Sequence, residues 1–222
     1  MIAVVDAGLG NLRSVEKALA HVGGQVEVTS DPRVVGRAER VVVPGQGGFG
    51  DCARALAPQA PLGAAVRDAI DGGRPYLGIC LGLQLLFAES EEAPGCAGLG
   101  ILPGRVVRIP AGLREPETGF RAKVPHMGWN VVLPARQGRA VHPLLDAALS
   151  AEGNGGGVPF YFVHSYHAVP ETPRFLEGTV RFGGQELAAA VGRDNLFAVQ
   201  FHPEKSQRAG LALLSAFLSW RC

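Results

Sequence analysis

Apolar positions along this chain follow two different regimes. In the first part, short apolar runs at residues 2–5, 25–29, 41–43 and 75–79 read as buried strands, with stretches of helical spacing between them. Residues 11–21 place Leu12, Val15, Ala18 and Leu19 on one helical face, and residues 62–71 form a helix leading into the strand at 75–79. Short apolar strands separated by helices predict a parallel sheet covered on both faces. Further along, residues 105–109, 124–132, 159–164, 175–181, 187–191 and 196–201 are strands joined by Gly- and Pro-rich turns, which predicts an antiparallel extension. Helices are expected there at 142–149 and 207–220, a long surface loop at 110–123 and a flexible turn at 153–157. With no repeat and no linker, residues 1–222 read as one α/β domain with a mostly parallel, helix-flanked central sheet.

Composition narrows the class. A chain of 222 residues that is 47% hydrophobic can bury a substantial core. Its formal net charge of +1 and the lack of a basic run give no reason to expect nucleic acid or a membrane surface. No run approaches the ~18 apolar residues of a membrane span. The N-terminal apolar run is broken at Asp6 and Gly8, so it reads as a first strand and not as a signal sequence. Cys52, Cys80, Cys96 and Cys222 are scattered without a CxxC pair, which points to a reducing cytoplasm. His164 and His167 lack partners at ligand spacing, so no metal is expected and a structural His164 is the better reading.

The chemistry concentrates at two places. Pro75-Tyr76-Leu77-Gly78-Ile79-Cys80-Leu81-Gly82-Leu83-Gln84 sets a cysteine between two glycines where a strand gives way to a helix beginning near Leu83. The reversal forces the middle residue toward positive φ, and Gly78 and Gly82 remove side chains that would collide around it. This is a G-x-C-x-G nucleophile elbow, with a thiol at the sheet edge and a helix N-terminus that favours thiolate and can receive an oxyanion. On its own, the segment also allows a lesser reading of Cys80 as a buried core thiol. The strand ending in Phe201-His202-Pro203-Glu204 shifts that balance, because His202 and Glu204 share a face and a carboxylate can orient the imidazole.

Other motifs carry less. Gly8-Leu9-Gly10 invites a dinucleotide reading, but Arg13 occupies the position of the third glycine. Pro44-Gly45-Gln46-Gly47-Gly48 follows a Val-rich strand at the same sheet edge as Cys80. It can turn amides toward a substrate oxygen or be an ordinary turn. Gln84, one helical turn after the cysteine, is a pocket residue or a polar helix position.

The elbow and the His-Pro-Glu segment resemble those of the class I, triad-type glutamine amidotransferases. Further segments carry the likeness in family order over nearly the whole chain. They are Gly10-Asn11-Leu12-Arg13-Ser14-Val15, Pro44-Gly45-Gln46-Gly47, Pro125-His126-Met127-Gly128-Trp129-Asn130, Phe160-Tyr161-Phe162-Val163-His164-Ser165-Tyr166 and Gln200-Phe201-His202-Pro203-Glu204-Lys205-Ser206. The segment around Trp129 points within the class to glutaminase subunits that serve a separate cyclase in histidine biosynthesis.

That resemblance implies a flavodoxin-like fold and hydrolysis of L-glutamine to glutamate and ammonia by Cys80, His202 and Glu204. It assigns the oxyanion to the backbone of Gly45, Gln46 and Gly47 with the Leu81 amide. It assigns glutamine recognition to Gln84, to Glu92 for the α-ammonium, and to the backbone of Ser165 and Tyr166 for the α-carboxylate. Asn11, Trp129, Asn130, Tyr161 and Lys205 are implied at a heterodimer junction with a (βα)₈-barrel cyclase. That cyclase makes imidazole glycerol phosphate and an aminoimidazole carboxamide ribonucleotide, and no cofactor is implied. Gln46 stands where valine is more usual, a change that a backbone donor tolerates. A free-standing cysteine hydrolase or peptidase, or another amidotransferase of the class, would share the triad.

Overall fold

Among the described residues the strands are, in chain order, β1 (Ile2–Val5), β2 (Val26–Thr29), β3 (Arg40–Gly45), β4 (Tyr76–Cys80), β5 (Glu89–Ser90), β6 (Gly104–Arg108), β7 (His126–Pro134), β8 (Val158–His164), β9 (Tyr166–Pro170), β10 (Leu176–Phe182), β11 (Gln185–Arg193) and β12 (Leu196–Val199). The α-helices among these residues are α1 (Leu12–His21), α2 (Pro32–Arg37), α3 (Phe49–Ala55), α4 (Pro61–Asp71), α5 (Leu81–Gln84), α6 (Pro143–Glu152) and α7 (Gln207–Ser219), with short 3₁₀ turns at Pro173–Phe175 and Pro203–Lys205. This computed structural model describes residues 1–8, 11–45, 47–135, 138–153 and 156–222. Gln46, Leu9 and Gly10 of the first glycine turn, and residues 154 and 155 of the turn expected at 153–157, lie outside the described residues.

The central sheet has nine strands in the order β2-β1-β3-β4-β12-β11-β10-β7-β8. Pairing is parallel from β2 to β12 and antiparallel from β12 to β8, as the two apolar regimes predict. Ala3, Val4, Val5, Val42, Val43 and Leu77 have no exposed surface, because helices cover both faces of the parallel half. Successive residues alternate between two cores: Val4 belongs to the one that α1, α6 and α7 share, and Val5 to the one that α2, α3 and α4 share. Leu213, Leu214 and Phe217 of α7 are fully buried, and each contributes roughly 1.5–3 kcal/mol of apolar burial.

Local chemistry sets several helix ends. Asn11 accepts from Ser14 N at 3.4 Å to open α1, and Asp31 accepts from Arg33 N at 2.8 Å ahead of Pro32 to open α2. Gly153 closes α6 in the left-handed conformation with φ 68°.

Two expectations need correction. The strand near 105–109 does not join the antiparallel extension; β6 forms a separate three-stranded sheet, β5-β6-β9. The chain leaves the large sheet at Ser165, whose carbonyl accepts from Ile109 N at 2.9 Å, and β9 then pairs with β6. The helix after the elbow starts at Leu81 and ends at Gln84, a single turn, so the helical character expected from Leu83 onward does not continue. Returning chain takes the carbonyls that a longer helix would use: Leu99 N bonds Leu85 O at 2.6 Å, and Ile101 N bonds Leu86 O at 2.8 Å.

Candidate active site

Cys80 sits at the end of β4 with φ 55° and ψ −103°. A non-glycine residue there carries on the order of 1–3 kcal/mol of strain, which the surrounding packing must hold. That packing depends on missing side chains. A Cβ on Gly82 would overlap the Val43 carbonyl, one on Gly45 would overlap Leu81 Cβ, and one on Gly78 would lie 2.6 Å from the Gly82 carbonyl oxygen. The three glycines let β3, the elbow and the following turn close on one another. Only α5 stands behind the thiol, so the Leu81 side of the elbow offers its first-turn amides and little macrodipole.

Parallel register brings the rest of the site to this edge. Ile79 pairs with Val199 and Gly45 with Cys80, so the ends of β3, β4 and β12 lie side by side. Just beyond β12, His202 Nδ1 lies 2.8 Å from Glu204 Oε1, with both side chains 2% exposed. His202 Nε2 is buried and has no aligned hydrogen-bond partner among the described residues. Burial opposes the imidazolium, yet the neighbouring Cys80 and Glu204 outweigh it and raise the His202 pKa to about 9. Three hydrogen bonds fix the His202 backbone against β8. His202 N donates to Tyr161 O at 2.9 Å, Tyr161 N to Ser206 Oγ at 3.0 Å, and Ser206 Oγ to His202 O at 2.6 Å.

A cavity of about 490 Å³ opens over the thiol, lined by Gly47, Cys80, Leu81, Gln84, Glu92, Tyr161, Ser165, Tyr166 and Lys205 among others. Gln84 donates to the Tyr166 carbonyl at 3.0 Å and to Gln200 Oε1 at 3.1 Å, and its own oxygen is buried without a partner among the described residues. Glu92 accepts from Phe49 N at 3.2 Å, and burial raises its pKa despite that bond. The wall therefore offers the Glu92 carboxylate, which suits an ammonium group.

Residues 3–219 match the family described as glutamine amidotransferase class-I. The chain belongs to that family. It is 49% identical over 216 residues to the imidazole glycerol phosphate synthase subunit HisH of Moorella thermoacetica, covering 97% of this chain and 93% of that protein. It is 48% identical to the subunit of the same name from Nitrosospira multiformis, covering 99% and 98%. Among solved structures, PurLQS from Thermotoga maritima superposes with a TM-score of 0.69 at 19% identity, covering 98% of this chain and 97% of that one. The glutaminase domain of Trypanosoma brucei CTPS with bound acivicin gives 0.63 at 18%, covering 100% and 94%. These two likenesses show the fold.

In this amidotransferase the residues expected at a partner junction fall into groups. On the exposed side of β7, Trp129 meets Tyr161 edge-on at 6.2 Å between ring centroids, and Lys205 Nζ lies 5.9 Å from the Tyr161 ring. Met127, Trp129 and Val131 are 62%, 50% and 47% exposed, a row of apolar side chains at alternate positions. Asn130 faces the other way, its amide bonded to His126, to Arg181 O and to Val131 N. Asn11 borders a crevice behind His202 and Glu204. Among the described residues, no cluster of His, Cys, Asp and Glu could hold a metal ion and no helix is long and apolar enough to cross a membrane.

Sequence reasoning passed over Gln200, which donates to Cys80 Sγ at 3.5 Å and has no exposed surface. The signal was present: Gln200 is the lone polar side chain in the run 196–201, and a buried amide must be paired.

Proposed function

We propose that this amidotransferase chain hydrolyses L-glutamine and passes the ammonia to a cyclase, as the glutaminase subunit of an imidazole glycerol phosphate synthase. The observation that carries the reading is Cys80 at a positive-φ elbow, in register with the strand that delivers His202 and Glu204. The name borne by the relatives at 48–49% identity over nearly the whole chain supports the particular synthase.

Cys80 attacks the side-chain carboxamide carbon as a thiolate, its proton held on His202. The amide of Leu81 and the backbone of Gly45, Gln46 and Gly47 receive the oxyanion. With a pKa of about 9, His202 is protonated near neutrality and gives its proton to the departing ammonia. A γ-glutamyl thioester remains on Cys80. Water, deprotonated by His202, then attacks the thioester, glutamate leaves and the thiolate returns. Glu204 keeps the imidazole oriented, with Nε2 toward the sulfur. Gln84 takes part in glutamine recognition, Glu92 holds the α-ammonium, and the Ser165 and Tyr166 backbone the α-carboxylate. No metal or organic cofactor has a step in this sequence.

Ammonia released into water is protonated and lost as a nucleophile, so the product needs a closed path. Tyr161 and Lys205 line the cavity and lead to Trp129 on the exposed apolar row. We place the docking face for a (βα)₈-barrel cyclase there, with Asn11 on its margin and Asn130 bracing β7 from behind. The whole of residues 1–222 acts as one domain, in the cytoplasm. The test is steady-state glutamate release by the isolated chain, with the cyclase, and with the cyclase plus its ribonucleotide substrate. Turnover rising at each step supports the reading; equal turnover in all three moves the chain to the class of free-standing cysteine hydrolases.

A further inference from the structure

Hydrogen-bonding side chains run in one line from behind Trp129 to the cavity wall. Asn130 Nδ2 lies 3.1 Å from His126 Nε2, His126 Nδ1 2.9 Å from His164 Nε2, and His164 Nδ1 2.9 Å from the Tyr166 carbonyl oxygen. The far end of the line fixes every proton in it. A carbonyl oxygen only accepts, so His164 Nδ1 carries a hydrogen, and in a neutral ring Nε2 is then an acceptor. His126 must therefore donate from Nδ1 and accept at Nε2. Asn130 supplies that donor, and its orientation is locked because its oxygen accepts from Val131 N at 2.8 Å while its nitrogen also donates to Arg181 O at 2.8 Å. Reversing either ring would set donor against donor or acceptor against acceptor. Burial holds both imidazoles neutral, pushing His126 down to about 4 and His164 to about 3.

The line ends on a carbonyl that is held twice. Gln84 Nε2 also donates to Tyr166 O, at 3.0 Å, so both lone pairs of that oxygen are occupied. On the other side of Tyr166, the Ser165 carbonyl accepts from Ile109 N at 2.9 Å. Both peptide planes flanking Tyr166 are thus pinned, at the point where the chain passes from one sheet to the other.

We propose that His126 and His164 are positioning residues for glutamine binding. As two neutral Nδ1–H tautomers they hold the Tyr166 main chain, and through its carbonyl Gln84, in the setting that receives the α-carboxylate and α-ammonium of the substrate. This rests on the glutaminase reading given above. Neither ring hydrogen-bonds Cys80 or His202, so the pair acts on substrate binding and leaves the chemical step alone.

Two measurements test it. In ¹⁵N-edited spectra of the wild-type chain, both rings should be protonated at Nδ1 only and should not titrate between pH 8 and roughly 5.5. A ring protonated at Nε2, or one titrating near its ordinary value, would overturn the proposal. In glutaminase assays with the cyclase, His164→Phe should raise KM for glutamine about tenfold with kcat within about threefold. His164→Asn, which keeps an amide hydrogen near the Nδ1 position, should recover most of that loss. Should His164→Phe not fold, His126→Phe keeps the stack on Phe162 and Phe182 and should raise KM about threefold by removing one donor. Normal wild-type turnover with KM unchanged in these variants would overturn the positioning role alone. A wild-type chain without glutaminase activity would overturn the functional reading beneath it as well.

Discussion

His202 and Glu204 stand two residues apart and face each other across 2.8 Å, both side chains nearly sealed from solvent. The alternation of an extended strand expected from the sequence is not what aligns them: β12 ends at Val199 and Pro203–Lys205 form a 3₁₀ turn that brings Glu204 back onto the imidazole, while the bonds through Ser206 and Tyr161 hold the His202 backbone still. A buried imidazole–carboxylate pair is costly to break, about 3–5 kcal/mol when one partner is removed. It orients Nε2 toward Cys80 and ties stability to pH.

Stability should peak near neutral pH. The His202 pKa is raised to about 9, above the ~6.5 of an unfolded chain. Its contribution is therefore fully present below ~6.5 and is lost as pH rises through about 9. His126, His142 and His164 are depressed by burial to about 4, 4 and 3. The unfolded chain binds more protons than the native one below ~6.5, so stability should also fall toward acid. Urea midpoints measured from pH 4 to 10 should trace a dome; a flat or steadily rising profile contradicts this assignment.

Removal of His202 and weakening of Glu204 should separate kinetically. His202→Ala is expected to lower kcat at least 10³-fold, because one residue acts as both base and acid. Glu204→Gln should keep partial activity, since the base survives with weaker orientation. Cys80→Ala should bring the His202 pKa down, because Cys80 is the largest influence raising it. Proton titration of His202 by NMR in that variant checks the coupling, and an unchanged value would sever the link.

The parallel half of the fold was legible because each strand is buried on both faces and bounded by polar turns. β4 and α4 lie within one residue of the ranges read from the apolar pattern. α2 and α3 were not legible; they have six and seven residues, too few for a clear period. β9 was missed because Ser165 alone separates it from β8 with no turn signal between them, and the strand read at 159–164 was given no successor before 175. The elbow and the His-Pro-Glu segment were visible as local motifs. The Gln200 contact was not, since it depends on β12 lying beside β4.

Gln200 bridges the nucleophile and the pocket wall, giving one hydrogen bond to Cys80 Sγ and taking one from Gln84. Gln200→Leu should lower kcat/KM about ten- to a hundredfold, through a misplaced sulfur and an unpaired Gln84 amide. Gln200→Glu keeps the acceptor but loses the donor and should fare no better. Steady-state kinetics at matched thermal stability would show it, and wild-type kcat/KM in both variants would remove Gln200 from the site.

Packing at the elbow predicts a sharp glycine dependence. Gly82→Ala should cost roughly 3 kcal/mol or prevent folding, since its Cβ would meet the Val43 carbonyl. Gly36→Ala in α2 meets nothing within 4 Å and should leave stability equal or higher by up to about 1 kcal/mol. Denaturant midpoints of the two variants decide; similar losses in both would mean the elbow is looser than described.

The most direct test of the account is to find which sulfur takes up the substrate. Cys52 is fully buried with its pKa raised by burial to about 11, Cys96 is half-buried and Cys222 is exposed near the end of the chain. Treatment with an electrophilic glutamine analogue, followed by peptide mass mapping, should place one label on Cys80, and excess glutamine should protect it. Cys80→Ser should fold, take no label and release no glutamate, while Cys52, Cys96 and Cys222 substituted singly keep most activity. Label on another cysteine while Cys80 stays free, or glutamate released by Cys80→Ser at the wild-type rate, would contradict the account.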